Sequence, residues 1–353
     1  MNLLSVVVLI CVIYTSSARL IFEDTFSENQ IDQSKWDFEQ TLTGGGDWQF
    51  QWFAKDNKNA FVENGILHIR PTLTEDFLGK NSLDKKKIDI LPGDCTSDIN
   101  YGCSRKGTRE HILNPIRSAS IMSKVSFTYG TVEIRAKLPK GDWLRPFIKL
   151  QPKGNVYGPW PASGQIDLLE ARGNPELNDE NLDPVGINRV TSTLHFGPRH
   201  DVNGCENTHF AKVLSAGNFN DDFHIFQVEW SDKGFKFFVD KNEIGSVDID
   251  REVGFWNIGG FEEYGNGKKN PWTKGSPMAP FDKDFYITIG LAVGGISNFF
   301  SDEFFFSTPK PWKNASPKAP LTFWKAKNKW YPTWTQSPDT ADFQIDYVKV
   351  SSV

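Results

Sequence analysis

Residues Pro161–Asn174 read PASGQIDLLEARGN. Its central stretch, Gln165–Glu170, carries three polar side chains, Gln165, Asp167 and Glu170, among apolar ones. In an extended strand, residues two apart share a face, so Gln165 and Asp167 point the same way. Glu170 lies five positions from Gln165, and a regular strand turns it to the opposite face. A β-bulge near Leu168–Leu169 restores it, because a bulge adds one residue to one strand of a pair. Read in isolation, IDLLE also fits a strand edge or a piece of amphipathic helix. The segments around it decide.

Strand signals recur on both sides. Apolar and polar residues alternate with period two over Gly130–Leu138 (GTVEIRAKL) and Asp342–Val350 (DFQIDYVKV). Phe223–Trp230 and Gly234–Val239, joined by SDK, read as a hairpin, and Phe285–Val293 as a further strand. Loops at Asp76–Leu113 and Gly259–Pro280 are expected to ride over the sheets, and Pro320–Lys329 to form a short helix. No fixed-period repeat or linker divides the chain. The 29 Gly and 20 Pro fit ordered loops between many short strands. The expected fold class is all-β, a sandwich of two packed antiparallel sheets.

The 353 residues carry a net charge of −5, which leaves no basic footprint for nucleic acid. Residues 1–18 hold an apolar run, Leu3–Ile13, followed by Ser16-Ser17-Ala18. This reads as a signal peptide, with residues 19–353 as one domain and an extracellular destination. A short buried N-terminal strand is the competing reading. No later run is long enough for a membrane span. Beyond the leader stand Cys95, Cys103 and Cys205. Cys95 and Cys103 bracket a short polar loop and are expected to pair in a secreted chain, leaving Cys205 odd. A pairing that uses Cys205 instead is the alternative. Asn314-Ala315-Ser316 is a glycosylation sequon followed by Pro317.

Several ordered segments share one resemblance: FEDTF (Phe22–Phe26), DWQFQWF (Asp47–Phe53), LPKGDW (Leu138–Trp143), GPWPASG (Gly158–Gly164), STLHFGP (Ser192–Pro198), PFDKDFYITIGLAVGG (Pro280–Gly295) and FQIDYVKV (Phe343–Val350). With PASGQIDLLEARGN, they resemble the laminarinase-like branch of glycoside hydrolase family sixteen. Within it they are similar to arthropod β-1,3-glucanases and the β-1,3-glucan recognition proteins, also called Gram-negative bacteria-binding proteins. Coverage runs from about Arg19 to Val353. The resemblance implies a β-jelly roll with a concave cleft, and the bulge at Leu168–Leu169. It also implies a nucleophile at position 165, an acid/base at Glu170 and a hydrogen-bonding neighbour at Asp167. Many recognition proteins carry an additional N-terminal glucan-binding module. Here the glucanase-like region is expected to follow the leader directly.

The family pattern has Glu at position 165. A retaining glycosidase needs two carboxyl groups, and the amide of Gln165 is a poor nucleophile. Other positions depart too. Trp143–Pro152 reads WLRPFIKLQP, so Arg145 and Lys149 stand where the family shows Trp, and Phe196 replaces another Trp. Arg145 and Lys149 are four apart on a strand and share a face. Burying both in a core is costly, which points that face to the cleft. Trp48, Trp52, Trp143 and Trp160 are candidates to stack on sugar, with core packing as the alternative for each. The resemblance adds His195 to the ligand contacts.

The expected function is a secreted glucan-binding protein of innate immune recognition, a pseudoenzyme in a hydrolase fold. Its ligand is β-1,3-glucan or a related polysaccharide, and the two cations favour an anionic one. The alternative is an endo-β-1,3-glucanase with residual or altered activity. No cofactor is expected. Related laminarinases often hold a structural calcium ion, for which Glu23 and Asp346 are the candidate ligands.

Overall fold

The computed structural model describes residues 18–353 except 251, 253, 263–268 and 308. The expected leader, all but its last residue, lies outside the described residues. Two antiparallel sheets form a jelly-roll sandwich. The seven-stranded sheet runs His209–Val213, Arg189–His195, Gln165–Ala171, Leu144–Pro152, Phe285–Val293, Ser120–Ser123 and Trp36–Phe38. The eight-stranded sheet contains Gly130–Lys137, His224–Ser231, Gly234–Val239 and Phe343–Ser351. Its alternation is legible in burial: in Gly130–Lys137 every second residue is buried. Val132, Ile134 and Ala136 enter the core, and Thr131, Glu133 and Arg135 do not.

The strands of the seven-stranded sheet are less cleanly alternating. Their inner residues, such as Ile148, Leu150, Ile166 and Leu169, are fully buried in the core. Several residues on the other face are buried as well, because ordered loops cover part of it. One such loop spans the residues from 76 to 113 and builds a satellite apolar cluster: Leu83, Ile88, Ile112 and Leu113 with Leu42 and Trp52. Cys95 and Cys103 form a disulfide within this loop, with Cα atoms 5.6 Å apart, and Cys205 is free. The expected helix at 320–329 is two short helices, Ala319–Lys325 and Lys327–Trp334, broken at Ala326.

The bulge sits where the carboxylates require it. Asp167 pairs with Thr193 and Glu170 with Thr191, so Leu168 and Leu169 face the single residue Ser192. Against the other neighbour, Lys149 pairs with Asp167 and Ile148 with Leu169. Both leucines go into the core. The hydroxyl of Ser192 donates to the Leu168 carbonyl at 2.7 Å, satisfying an acceptor that the irregular ladder would otherwise strand.

Candidate active site and glycan cleft

The bulge keeps Gln165, Asp167 and Glu170 on the concave face, beside Arg145 and Lys149 of the adjacent strand. Each is tied to a neighbour. Gln165 Nε2 donates to Asp167 Oδ1 at 2.7 Å, and the other oxygen of Asp167 lies 3.0 Å from His195 Nε2. An amide supplies that N–H at every pH. A glutamate at 165 would set a second carboxyl against Asp167, and two carboxylates this close share one proton rather than both ionising.

Glu170 is bound by cations. Arg145 Nη2 donates to its Oε1 at 2.8 Å, and Lys149 Nζ lies 3.4 Å from the same oxygen. Burial alone would raise the carboxyl's pKa. Arg145 first, then Lys149 and His195, outweigh it and hold Glu170 well below the usual carboxylate range. Burial likewise opposes the charge on Lys149, but Asp167 and Glu170 raise its pKa. Arg145 is itself almost fully buried. Its second arm reaches Asp47 at 2.5 Å, and its guanidinium lies 3.9 Å from the Phe299 ring. Arg172 lies 4.0 Å from the same ring. Phe299 thus packs against two guanidinium groups.

His195 receives opposed instructions. Burial disfavours its charge, yet Asp167 outweighs burial and raises its pKa to about 10. Asn203 acts against that rise. Its Oδ1 accepts from the backbone N–H groups of Phe196 and Cys205, which turns its Nδ2 toward His195 Nδ1 at 3.0 Å. That contact suits a neutral ring with its proton on Nε2, aimed at Asp167. The direction that geometry and charge both allow is a raised pKa, restrained by Asn203.

Several expectations need correction. Arg145 and Lys149 do face the cleft, but their charges are matched by Glu170 and Asp47, so they present no free cationic surface. Trp143 is fully buried, its ring 4.9 Å from Trp312 and 5.7 Å from Phe300. Trp52 lies in the satellite cluster beneath Arg117, with its N–H on Thr74. Neither can stack on a sugar. Phe196 is a core residue among Phe255, Phe261 and Phe281 and says nothing of the cleft. Trp160 and Trp48 are exposed, and Trp160 sits 5.7 Å from the His195 ring. The Asn314 side-chain nitrogen, where a glycan would attach, donates to the carbonyls of Ser297 and Phe300. Asp346 accepts from Arg135.

The sequence reading missed Asp47, Phe299, Arg172, Arg189 and Asn203. Asp47 opens the stretch DWQFQWF, in which the tryptophans are the evident sugar-contact signal. Arg172 and Arg189 line a cavity of about 460 Å³ with Glu170 and His195. Arg172 is pushed down to about 9 by burial and by Arg145 and Arg189. The Arg189 side chain has no hydrogen-bond or ion-pair partner among the described residues, and its Nε is buried.

A concave jelly-roll sheet with Asp167 and Glu170 on a bulged strand defines a glycoside-hydrolase scaffold. The family description "Glycosyl hydrolases family 16" matches residues 95–255. A β-1,3-glucan-binding protein of Penaeus monodon is 39% identical over 347 residues, covering 95% of this chain and 91% of that one. Gram-negative bacteria-binding protein 1 of Drosophila melanogaster is 35% identical over 344 residues, covering 94% of this chain and 64% of the relative. The laminarinase of Rhodothermus marinus superposes with a TM-score of 0.57 over 95% of this chain and 98% of that one, at 21% identity, a likeness of fold. The chain belongs to the glycosyl hydrolase 16 family, in the branch of the arthropod β-1,3-glucan-binding and Gram-negative bacteria-binding proteins.

Proposed function

We propose that this chain is a secreted glucan-recognition protein of innate immunity that does not hydrolyse its ligand. The observation that carries this reading is the pairing of Glu170 with both Arg145 and Lys149. Retaining hydrolysis asks one carboxyl group to arrive protonated and give its proton to the leaving oxygen. Glu170 is held ionised by Arg145 and Lys149, so it has no proton to give near neutral pH. Gln165 is uncharged and already donates to Asp167, so it offers the anomeric carbon no nucleophile. Binding needs neither group. The relatives' names support glucan recognition, and the disulfide suits an oxidising compartment.

Incubation with laminarin, read by new reducing ends, should give no signal above background. Pull-down on insoluble curdlan should retain the protein. Turnover comparable to a family glucanase, or failure to bind curdlan, would reject the reading. One observation favours a finer version. Arg189 is a cation without a partner in the cavity beside Glu170. A glycan carrying an anionic substituent there would gain a charge-assisted contact that neutral glucan lacks. Salt-sensitive binding of sulfated laminarin, weakened by Arg189→Gln, is its test.

A further inference from the structure

A second cavity shares no lining residue with the cavity beside Glu170 and His195. It has a volume of about 610 Å³, within the usual range of small-molecule sites. It sits where two apolar clusters meet. Phe50 on one wall belongs to the main core, and Ile112 on the other to the satellite cluster, with Leu321 packed against it. Pro317, Pro320 and Ile296 complete the apolar lining.

Several polar groups along the wall are already engaged, while the side chains of His111 and Tyr101, which also line it, have no hydrogen bond among the described residues. Asn114 donates to the carbonyls of Gln51 and Leu42 and accepts from Arg105. The other arm of Arg105 donates to the Asn100 carbonyl, and Glu110 is paired with Lys318. Ser104 donates to Asp89. A sugar, with a hydroxyl on nearly every carbon, would leave most of them unpaired here, and that costs free energy. An alkyl chain would not. Lys106 also lines the cavity and has no ion-pair partner among the described residues.

The mouth is built at a cost. Trp48 and Tyr101 line it and are 43% and 73% exposed. Both have positive φ, 48° and 61°. Bulky side chains are rarely found there, and such conformations persist only where the surroundings fix them. The loop carrying Tyr101 is fixed: the Cys95–Cys103 disulfide closes it, and Thr41 Oγ1 donates to the Ser97 carbonyl at 2.8 Å. The result is two exposed rings over an apolar cavity beside Lys106.

We propose that this cavity binds the acyl chain of an anionic amphiphile, with the chain between Phe50, Ile112 and Leu321 and the head group near Lys106. The proposal does not depend on the reading given for the glycan cleft.

The probe is laurate, kept below its micelle concentration and titrated calorimetrically into the intact protein. One saturable site is expected, with a change in Trp48 emission. Leu321→Trp should fill the cavity and weaken laurate by roughly tenfold or more, while curdlan retention stays unchanged. Ile296→Trp serves the same purpose if Leu321→Trp does not fold. Lys106→Glu should weaken laurate but spare dodecyl maltoside, whose head is neutral. Absence of saturable laurate binding would overturn the proposal. So would laurate affinity unmoved by a folded cavity-filling variant. Competitive displacement of laurate by laminarihexaose would also overturn it, because the cavity would then be a sugar subsite.

Discussion

Arg145 donates to Glu170 Oε1 across 2.8 Å from a position where it is itself almost fully buried. Its other arm holds Asp47. One guanidinium therefore bridges two carboxylates and fixes the loop of Asp47 to the floor of the cleft. Removing one member of a buried pair leaves the other's charge uncompensated, typically at about 3–5 kcal/mol. Arg145→Met should lower stability by roughly that much in urea unfolding. The double variant Arg145→Met/Glu170→Gln should lose less than the sum of the two singles. An additive result would show that the two residues do not act as a pair.

Restoring the family's glutamate should not restore the enzyme. Gln165→Glu supplies a carboxyl, but Glu170 remains an ionised partner of Arg145 and Lys149. General acid catalysis contributes about 10²–10⁴-fold, so the variant's laminarin turnover should fall at least about 10²-fold short of an active family glucanase. Adding Lys149→Met removes one of the two cations and should raise activity further than either change alone. Arg145 is a poor target for the same purpose, because its removal also frees Asp47. Full activity from Gln165→Glu alone, read by reducing-end release, would refute this account.

The titration of Glu170 gives an independent measure. Its folded pKa lies below the ordinary value of 4.5. The stabilisation is therefore fully present above that value and disappears as pH falls through the folded pKa. Carbon-detected NMR should find Glu170 ionised throughout the range in which exposed glutamates titrate. Lys149→Met should raise its pKa, and Gln165→Glu should raise it too by adding a nearby negative charge. A titration indifferent to both substitutions would mean that the three side chains are not neighbours.

Much of this was legible in the sequence, and the limits have physical reasons. The family resemblance implied the bulge, and counting shows why it is needed: Gln165 and Glu170 share a face only if one residue is extra. Phe285–Val293 and the hairpin from 223 to 239 announced themselves by alternation, because one face of each is core. The face of Arg145 and Lys149 was readable from the cost of burying two cations. Their neutralisation was not, since Asp47 lies 98 residues from Arg145 in the chain. Trp143 and Trp160 look alike in sequence. Their fates differ because Trp143 meets Trp312 and Phe300, which come from a distant loop.

His195 should report the contest between Asp167 and Asn203. Its pKa is raised above 6.5, toward about 10. Stability from this interaction is fully present below the unfolded value and lost as pH rises through the folded one. Asp167→Asn should drop the His195 pKa below its ordinary value, because burial then acts without the carboxylate. Asn203→Ala removes the N–H aimed at Nδ1 and should raise it. Nitrogen-15 chemical shifts of the ring distinguish the tautomers and follow the titration. A His195 pKa lowered by Asn203→Ala would contradict the assignment of that amide.

The two tryptophans separate glycan contact from core packing. Trp160 is 46% exposed and lies over His195, so its indole face is open to a sugar ring. Trp143 is fully enclosed by aromatic neighbours. Exposed side chains away from buried networks usually change stability by no more than about 0.5 kcal/mol, whereas emptying a buried tryptophan site costs about 3–5 kcal/mol. Trp160→Ala should therefore weaken curdlan or laminarihexaose binding by roughly tenfold, about 1.4 kcal/mol, with the urea midpoint nearly unchanged. Trp143→Ala should do the reverse: a large loss of stability, and near-native glycan affinity in the fraction that remains folded. Calorimetric titration and urea unfolding on the same preparations read both quantities. Should Trp160→Ala bind glucan as the parent does, the sugar does not pass over His195, and the cleft contact must be sought along the Arg189 cavity instead.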